Sequence, residues 1–223
     1  MATFALIHGG GSTAWDWHLV EKLLEGQGHR VVAVDLPIED AAAGLEDYVS
    51  AVIAAVGTSG HVVVVGHSLG GFTAPLVAEA LRADGLVYLA GMIPLPGESL
   101  GQWWENTGHR QSSASADTDE VFFNGVPEHL ARDAKARERE QLGEWMSEPW
   151  PGRRSTMPTG AILCLDDRFF PAVFMARQIR DRLGVEPIEI PGGHYAPLSE
   201  PQAVTAALLG FAREIQFTIR TAR

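Results

Sequence analysis

One serine lies between two glycines in the segment Gly66-His67-Ser68-Leu69-Gly70. Four consecutive valines precede the segment and an amphipathic helical pattern follows it, which is typical of a sharp strand-to-helix turn with the serine at its tip. Side chains two positions before or after Ser68 would collide with the neighbouring strand and helix, so both positions must be small. Such a turn places Ser68 at a helix N-terminus, where a developing anion is favoured. We therefore expect Ser68 to be a nucleophile rather than an incidental residue of a glycine-rich turn.

A serine hydroxyl is a poor nucleophile without a neighbouring base. In enzymes with this kind of turn the chain order is serine, then acid, then histidine, and both partners lie in loops that follow strands. Of eight histidines, only His194 follows the last strand-like run, in Pro191-Gly192-Gly193-His194-Tyr195. We therefore expect His194 to be the base.

Two candidates for the acid stand next to each other. Asp166 and Asp167 both follow the apolar run that ends at Leu165. One carboxylate can face the histidine while the other points elsewhere, and the spacing alone does not separate them.

The glycine run His8-Gly9-Gly10-Gly11 follows the first strand-like segment. Acyl transfer needs backbone N–H groups that hold the oxyanion, and we expect them to be those of Gly10 and Leu69. A simple glycine turn is the alternative. A phosphate loop is excluded because the run lacks both the G-x-G-x-x-G spacing and a G-K-[ST] ending.

Short apolar runs alternate with amphipathic segments, which is the pattern of βα units that build a parallel sheet. Four of the runs are nearly uninterrupted and should be buried on both faces. This predicts an α/β fold with a mostly parallel central sheet and helices on both faces, formed by residues 1–223 as a single domain. The predicted strands cover 4–7, 31–34, 62–65, 86–89, 161–165 and 187–190, and the predicted helices cover 15–26, 45–56, 70–82, 172–183 and 201–213.

The interval from about 95 to 157 contains no convincing strand and is bracketed by turn-forming residues. We interpret it as a small inserted lid, with a polar stretch over 111–120 and a mixed-charge run over 131–140 that reads as a solvated helix face. Its aromatic rings either pack the lid on the body or form an apolar wall over a pocket. The rings are Trp103, Trp104, Phe122, Phe123, Trp145 and Trp150.

Charge and cysteine content exclude several classes of protein. The formal net charge of −11 would repel a nucleic-acid backbone. Cys164 is the only cysteine, so an intrachain disulfide and a thiolate metal cluster are both excluded, and a reducing, cytoplasmic location is expected. No signal peptide and no stretch of about 18 apolar residues is present, so we expect no membrane association.

With these residues, the chain resembles the methylesterase, hydroxynitrile lyase and salicylate-binding esterase group of the α/β-hydrolase fold. The resemblance covers nearly all of the sheet region and fades in the predicted lid. In that group the catalytic aspartate directly precedes a charged residue and stands four positions before a proline, which matches Asp167, with Arg168 next and Pro171 four residues on. The segments that carry the resemblance are 8–11 with 15–17, 66–71, 89–94 with 96–99, and 166–171 with 193–194.

The resemblance implies hydrolysis of a small hydrophobic aryl or methyl ester through an acyl-enzyme, with no metal or cofactor. The hydroxynitrile lyases of the group usually carry threonine and lysine where this chain has Gly9 and Tyr195, which counts against cyanide chemistry. A carbon-carbon lyase or other non-hydrolytic enzyme and a slow-turnover ligand receptor stay open as alternatives, and so does the oligomeric state, with a homodimer among the options. The candidate substrate-binding residues are Gly9, Trp103, Trp104, Phe122, Trp145 and Tyr195.

Overall fold

The computed structural model describes residues 1–109 and 118–221. Within this part of the chain, six strands form one sheet in the order β2-β1-β3-β4-β5-β6, and every neighbouring pair is parallel. Each strand corresponds to one of the six apolar runs, so the predicted parallel sheet is confirmed. The strands are β1 (Thr3–Ile7), β2 (Arg30–Ala33), β3 (Val62–His67), β4 (Gly85–Leu89), β5 (Thr159–Cys164) and β6 (Ile188–Ile190).

The four central strands are buried along nearly their whole length, as expected for a sheet that is covered on both faces. Strand β2 has only one strand neighbour and is partly exposed. Strand β5 ends at Cys164, one residue earlier than predicted, and Leu165 is 48% exposed because it already belongs to the following loop.

Helices lie on both faces of the sheet. Buried side chains of α2, α3 and α7 belong to one hydrophobic cluster, and those of α1 and α9 belong to a second. Alternate valines of β3 belong to the two clusters, as the two-residue period of a strand requires. The helices are α1 (His18–Gly26), α2 (Leu45–Val56), α3 (Ala74–Leu81), α4 (Leu100–Thr107), α5 (Thr118–Phe122), α6 (Glu128–Lys135), α7 (Ala172–Leu183), α8 (Ala196–Ser199) and α9 (Pro201–Thr221).

Two of the predicted helices begin with a 3₁₀ turn instead of an α-helix. The segment 70–82 is divided into a 3₁₀ turn over Ser68–Gly71 and helix α3, which carries a proline in its first turn. The segment 15–26 likewise begins as a 3₁₀ turn over Ala14–Trp17 before α1. Proline is tolerated at a helix start because the N–H group it lacks would have no partner within the helix there.

The interval between β4 and β5 contains α4, α5, α6 and a 3₁₀ turn over Glu144–Ser147, and its described residues contain no strand. Most of the polar stretch predicted over 111–120 lies outside the described residues, which resume at residue 118. The prediction of a solvated helix over 131–140 is wrong beyond Lys135, where α6 ends. Arg139 turns inward instead, because its guanidinium donates to the carbonyl of Leu36 and its N–H donates to the carbonyl of Gly11.

The register brings the ends of β1, β3 and β4 together. Ile7 pairs with Gly66, and His67 pairs with Leu89. The loops after β1 and β3 therefore begin side by side at the carboxyl edge of the sheet, where side chains from several loops can converge. Across the described residues, no helix is both long enough and apolar enough to cross a membrane.

Candidate active site

Ser68 stands at the sharp turn between β3 and α3 with a positive φ of 50°. Few non-glycine residues adopt this left-handed backbone conformation, and it is a recurrent form of strain at functional sites. The two flanking glycines are required by close backbone approaches. A Cβ on Gly66 would lie 2.8 Å from the carbonyl oxygen of Gly70, and a Cβ on Gly70 would lie 2.5 Å from that of His8.

His194 lies in the loop after β6, and its Nε2 is 2.9 Å from the Oγ of Ser68. The loop can reach this position because residue 193 is a glycine: a Cβ there would lie 2.5 Å from the carbonyl oxygen of Asn124. The imidazole is almost fully buried. The structure thus brings together the two residues predicted as nucleophile and base.

The second ring nitrogen of His194 faces Asp167, with 2.9 Å between Nδ1 and Oδ2. The other carboxylate oxygen, Oδ1, accepts the backbone N–H groups of Phe169 and Phe170, each at 2.8 Å. These bonds fix the orientation of the carboxylate. A proton on Nδ1 then leaves Nε2 free to accept the hydrogen of Ser68.

Asp166 lies in the same loop but does not face His194. It is exposed, and its Oδ2 accepts the N–H of Gly192 at 3.0 Å while the N–H of Asp166 donates to the carbonyl of the same glycine. These bonds join the loop after β5 to the loop after β6. The structure therefore brings Asp167, and not Asp166, to the histidine.

The glycine loop after β1 packs directly on the serine turn. A Cβ on Gly9 would lie 3.0 Å from the Cβ of Ser68, and a Cβ on Gly10 would lie 3.0 Å from the Cδ2 of Leu69. A side chain at residue 9 would press on the Cβ of the serine itself, whereas one at residue 10 would meet only the movable end of the Leu69 side chain. The two residues predicted as oxyanion donors are thus neighbours across the two loops.

Two further histidines support these loops in neutral form. His8 donates from Nδ1 to the carbonyl of Gly9 at 2.7 Å and accepts the N–H of Leu36 on Nε2 at 3.0 Å, and burial lowers its pKa to about 4. His67 donates from Nε2 to the carbonyl of His194 at 2.9 Å, and burial lowers its pKa to about 3. Both stay uncharged at neutral pH, so they hold backbone without adding positive charge beside His194.

Comparison with known proteins identifies the family of the chain. Residues 4–208 match the model of the alpha/beta hydrolase family. The chain belongs to this family. Salicylic acid-binding protein 2 of Nicotiana tabacum is 28% identical over 260 residues, which cover 95% of this chain and 97% of that protein. Polyneuridine aldehyde esterase of Rauvolfia serpentina is 35% identical over 113 residues, covering 44% of this chain and 41% of that protein.

Solved structures show the same fold. The crystal structure of polyneuridine aldehyde esterase matches with a TM-score of 0.77 at 24% identity, covering 95% of this chain and 99% of that one. A pyrethroid hydrolase from Sphingobium faniae JZ-2 matches with a TM-score of 0.78 at 24% identity, covering 95% and 97%. The predicted α/β-hydrolase fold is therefore confirmed.

Aromatic rings surround the histidine of this alpha/beta hydrolase. The ring centroids of Phe169, Phe170 and Phe122 lie 4.9, 5.3 and 5.5 Å from that of His194. Only Phe122 had been predicted at the site. Phe169 and Phe170 were missed, although their position directly after Asp167-Arg168 was a signal that they would share the loop of the acid.

The predicted tryptophans lie farther from the histidine. Trp103 has no exposed surface, donates from Nε1 to the carbonyl of Ile93 and packs behind Phe170, so it belongs to the core rather than to a pocket wall. Trp104 is half-buried and contacts the ring of Phe170, with 6.1 Å between centroids. Trp145 donates to the hydroxyl of Tyr48. It lines a small cavity that Gly9 and Leu69 also border.

Tyr195 is buried beside His194, and its hydroxyl is taken up by another side chain. Its Oη lies 2.9 Å from the Oγ of Ser12, and its ring stacks on Phe123 with 4.6 Å between centroids. Burial raises the pKa of this phenol, so it is neutral. Within the described residues, no three His, Cys, Asp or Glu side chains converge where they could hold a metal ion.

Proposed function

We propose that this alpha/beta hydrolase is a serine esterase that cleaves small hydrophobic carboxylic esters through an acyl-enzyme on Ser68. The observation that carries the proposal is the continuous chain of two 2.9 Å hydrogen bonds from Ser68 through His194 to Asp167. Relatives named as an esterase and a hydrolase support the same class of reaction.

In the first half-reaction, Nε2 of His194 takes the proton of Ser68 while Oγ attacks the ester carbonyl carbon. The carbonyl oxygen becomes an oxyanion, which the N–H groups of Gly10 and Leu69 would hold. The imidazolium then gives its proton to the departing alcohol, and the acyl group remains on Ser68. Asp167 stabilises the cation on His194 and keeps its ring oriented.

In the second half-reaction, water replaces the alcohol. His194 takes a proton from water, the resulting hydroxide attacks the acyl carbon, and a second oxyanion forms in the same place. Its collapse breaks the bond to Ser68, which recovers its proton from His194. One ester and one water thus yield one acid and one alcohol.

The rings of Phe122, Phe169 and Phe170 favour an apolar group next to the scissile bond. This supports an aryl or methyl ester as the substrate class. Phe122 ends α5, within the interval 95–157, and we propose that this interval acts as a lid that closes the apolar side of the site.

The first experiment compares Ser68→Ala with wild type on p-nitrophenyl acetate and on methyl esters of aromatic acids. We expect kcat to fall by at least about 10³-fold, because removing a triad member costs several powers of ten. The control is Ser147→Ala, which removes an exposed hydroxyl that donates to the carbonyl of Glu144. Turnover of Ser68→Ala within about tenfold of wild type contradicts the nucleophile assignment.

The second experiment separates hydrolysis from lyase chemistry. In water enriched with ¹⁸O, an esterase incorporates one labelled oxygen into each acid that it releases, whereas a carbon-carbon lyase releases a carbonyl fragment without net uptake of water. The neutral Tyr195 hydroxyl, bound to Ser12, supports the hydrolytic outcome, because it offers no cation to a leaving group. Tight retention of a ligand with negligible turnover would instead indicate a receptor.

A further inference from the structure

A hydrogen bond between two buried hydroxyls joins the loop after β1 to the loop after β6. Tyr195 directly follows His194, and Ser12 lies two residues after Gly10. The 2.9 Å contact between their oxygens links side chains that are 183 residues apart in the chain. The Oγ of Ser12 also approaches the carbonyl oxygen of Gly10, at 3.4 Å. The contact therefore connects the loop of the base with the loop of the expected oxyanion donor.

The tyrosine ring is held independently of its hydroxyl. It stacks on Phe123 at an interplanar angle of 15° and meets the ring of His67 edge-on at 5.6 Å. His67 itself donates to the carbonyl of His194. Removal of the hydroxyl alone therefore leaves the packing of Tyr195 and its neighbours in place.

A buried acid lies at the other end of the pair. Asp16 is 4% exposed, and its interactions with the Ser12 side chain and the backbone of Thr13 favour its ionised form against the effect of burial. Asp35 and Glu138 are the charged groups that act on it, and both oppose its ionisation. Asp16 therefore lies beside the Ser12 end of the hydroxyl pair as a buried acid whose ionisation its charged neighbours oppose.

We propose that Ser12 and Tyr195 are positioning residues for ester hydrolysis, whose paired hydroxyls fix the distance between the Gly10 loop and His194. The inference rests on the proposed esterase function. Oxyanion stabilisation needs a donor within about 2.7–3.1 Å of the developing charge, and a misplacement of about 1 Å costs about 10²-fold in rate. The hydrogen bond between the two loops keeps the distance between the base, His194, and the N–H donor of Gly10 constant through both half-reactions.

The test is a double-mutant cycle of Tyr195→Phe and Ser12→Ala, each of which deletes one hydroxyl. We expect each single variant to lower kcat by about 10- to 100-fold with KM within about threefold of wild type, because the loss concerns the transition state. The double variant should be no worse than either single variant, because both remove the same contact. Tyr88→Phe, which removes a buried tyrosine hydroxyl on β4, is the matched control and should retain wild-type kcat.

The rate of labelling by a fluorophosphonate separates this inference from the proposed function. If wild type does not react, the esterase proposal fails. If wild type reacts and Tyr195→Phe reacts at the same rate, only the positioning role fails. The positioning role is also overturned if the losses in kcat of the two single variants multiply in the double variant. It is overturned as well if the losses in kcat parallel a fall in melting temperature. Ser12→Ala carries the same test should Tyr195→Phe fail to fold.

Discussion

Asp16→Asn should remove the loss of folding stability that the buried carboxyl causes as pH rises. Burial raises the pKa of Asp16 from its ordinary 3.8 to about 7, and hydrogen bonds from Thr13 and Ser12 offset only part of that effect. The folded protein therefore keeps the acid neutral at a pH where the unfolded chain ionises it. Asparagine resembles the neutral acid in shape and carries no charge at any pH.

The sign and size follow from proton linkage. A raised pKa contributes stability that is fully present below about pH 3.8 and is lost as pH rises through about 7. A difference of about three pKa units between the folded and the unfolded chain corresponds to about 4 kcal/mol of unfolding free energy. Roughly 3 kcal/mol of this is lost between pH 5 and pH 8.5. His8 and His67 act in the opposite sense, because burial lowers the pKa of each and their contribution is lost as pH falls. Both histidines are present in wild type and variant, so their effect cancels in the difference.

Urea unfolding of wild type and Asp16→Asn at pH 5 and pH 8.5 measures this difference. From pH 5 to pH 8.5 the unfolding free energy of the variant should rise by roughly 3 kcal/mol relative to that of wild type. The rise should appear in the urea midpoint, with an unchanged dependence of the free energy on urea concentration. Asp181→Asn, which changes an exposed carboxyl on α7, controls for the loss of one negative charge. If the difference in unfolding free energy between variant and wild type is the same at both pH values, Asp16 does not have a raised pKa in the folded protein.

Three further predictions concern the site and the core. Asp167→Asn should lower kcat by about 10⁴-fold in a p-nitrophenyl ester assay, whereas Asp166→Asn should stay within about tenfold of wild type. Gly71→Ala would place a Cβ 2.0 Å from a backbone carbonyl oxygen, so we expect a loss of about 3 kcal/mol or more in unfolding free energy, or no folded protein. Arg182→Met should cost about 3–5 kcal/mol in urea unfolding, because it leaves the buried carboxylate of Glu98 without its cation, and adding Glu98→Gln should recover part of that loss.

Much of the fold was predictable because short segments of the sequence carry the pattern of each element. A buried parallel strand needs a run of apolar residues, and each of the six runs forms one. The residues that meet at Ser68 were also predictable, because a nucleophile elbow, a histidine after the last strand and an aspartate after the preceding strand define a chain order. The choice of Asp167 over Asp166 needed the family resemblance, since two successive residues of a turn differ only in the direction of their side chains.

What could not be predicted depends on contacts between distant segments. The inward turn of Arg139 follows from a carbonyl on Leu36 that no local pattern reveals. Trp103 was expected near the substrate, but a tryptophan in the core and one on a pocket wall look alike in a sequence. The bond between Ser12 and Tyr195 joins loops at opposite ends of the chain, so only the assembled sheet brings its partners together.

The role of Ser68 as nucleophile is tested most directly by reaction with a fluorophosphonate, in which the rate is measured and the labelled peptide is mapped. We predict one adduct, on the peptide that contains Ser68. The adduct should be absent in Ser68→Ala and should form at least about 10²-fold more slowly in His194→Ala, because the serine then lacks its base. An adduct on another residue, or labelling of His194→Ala at the wild-type rate, would contradict it.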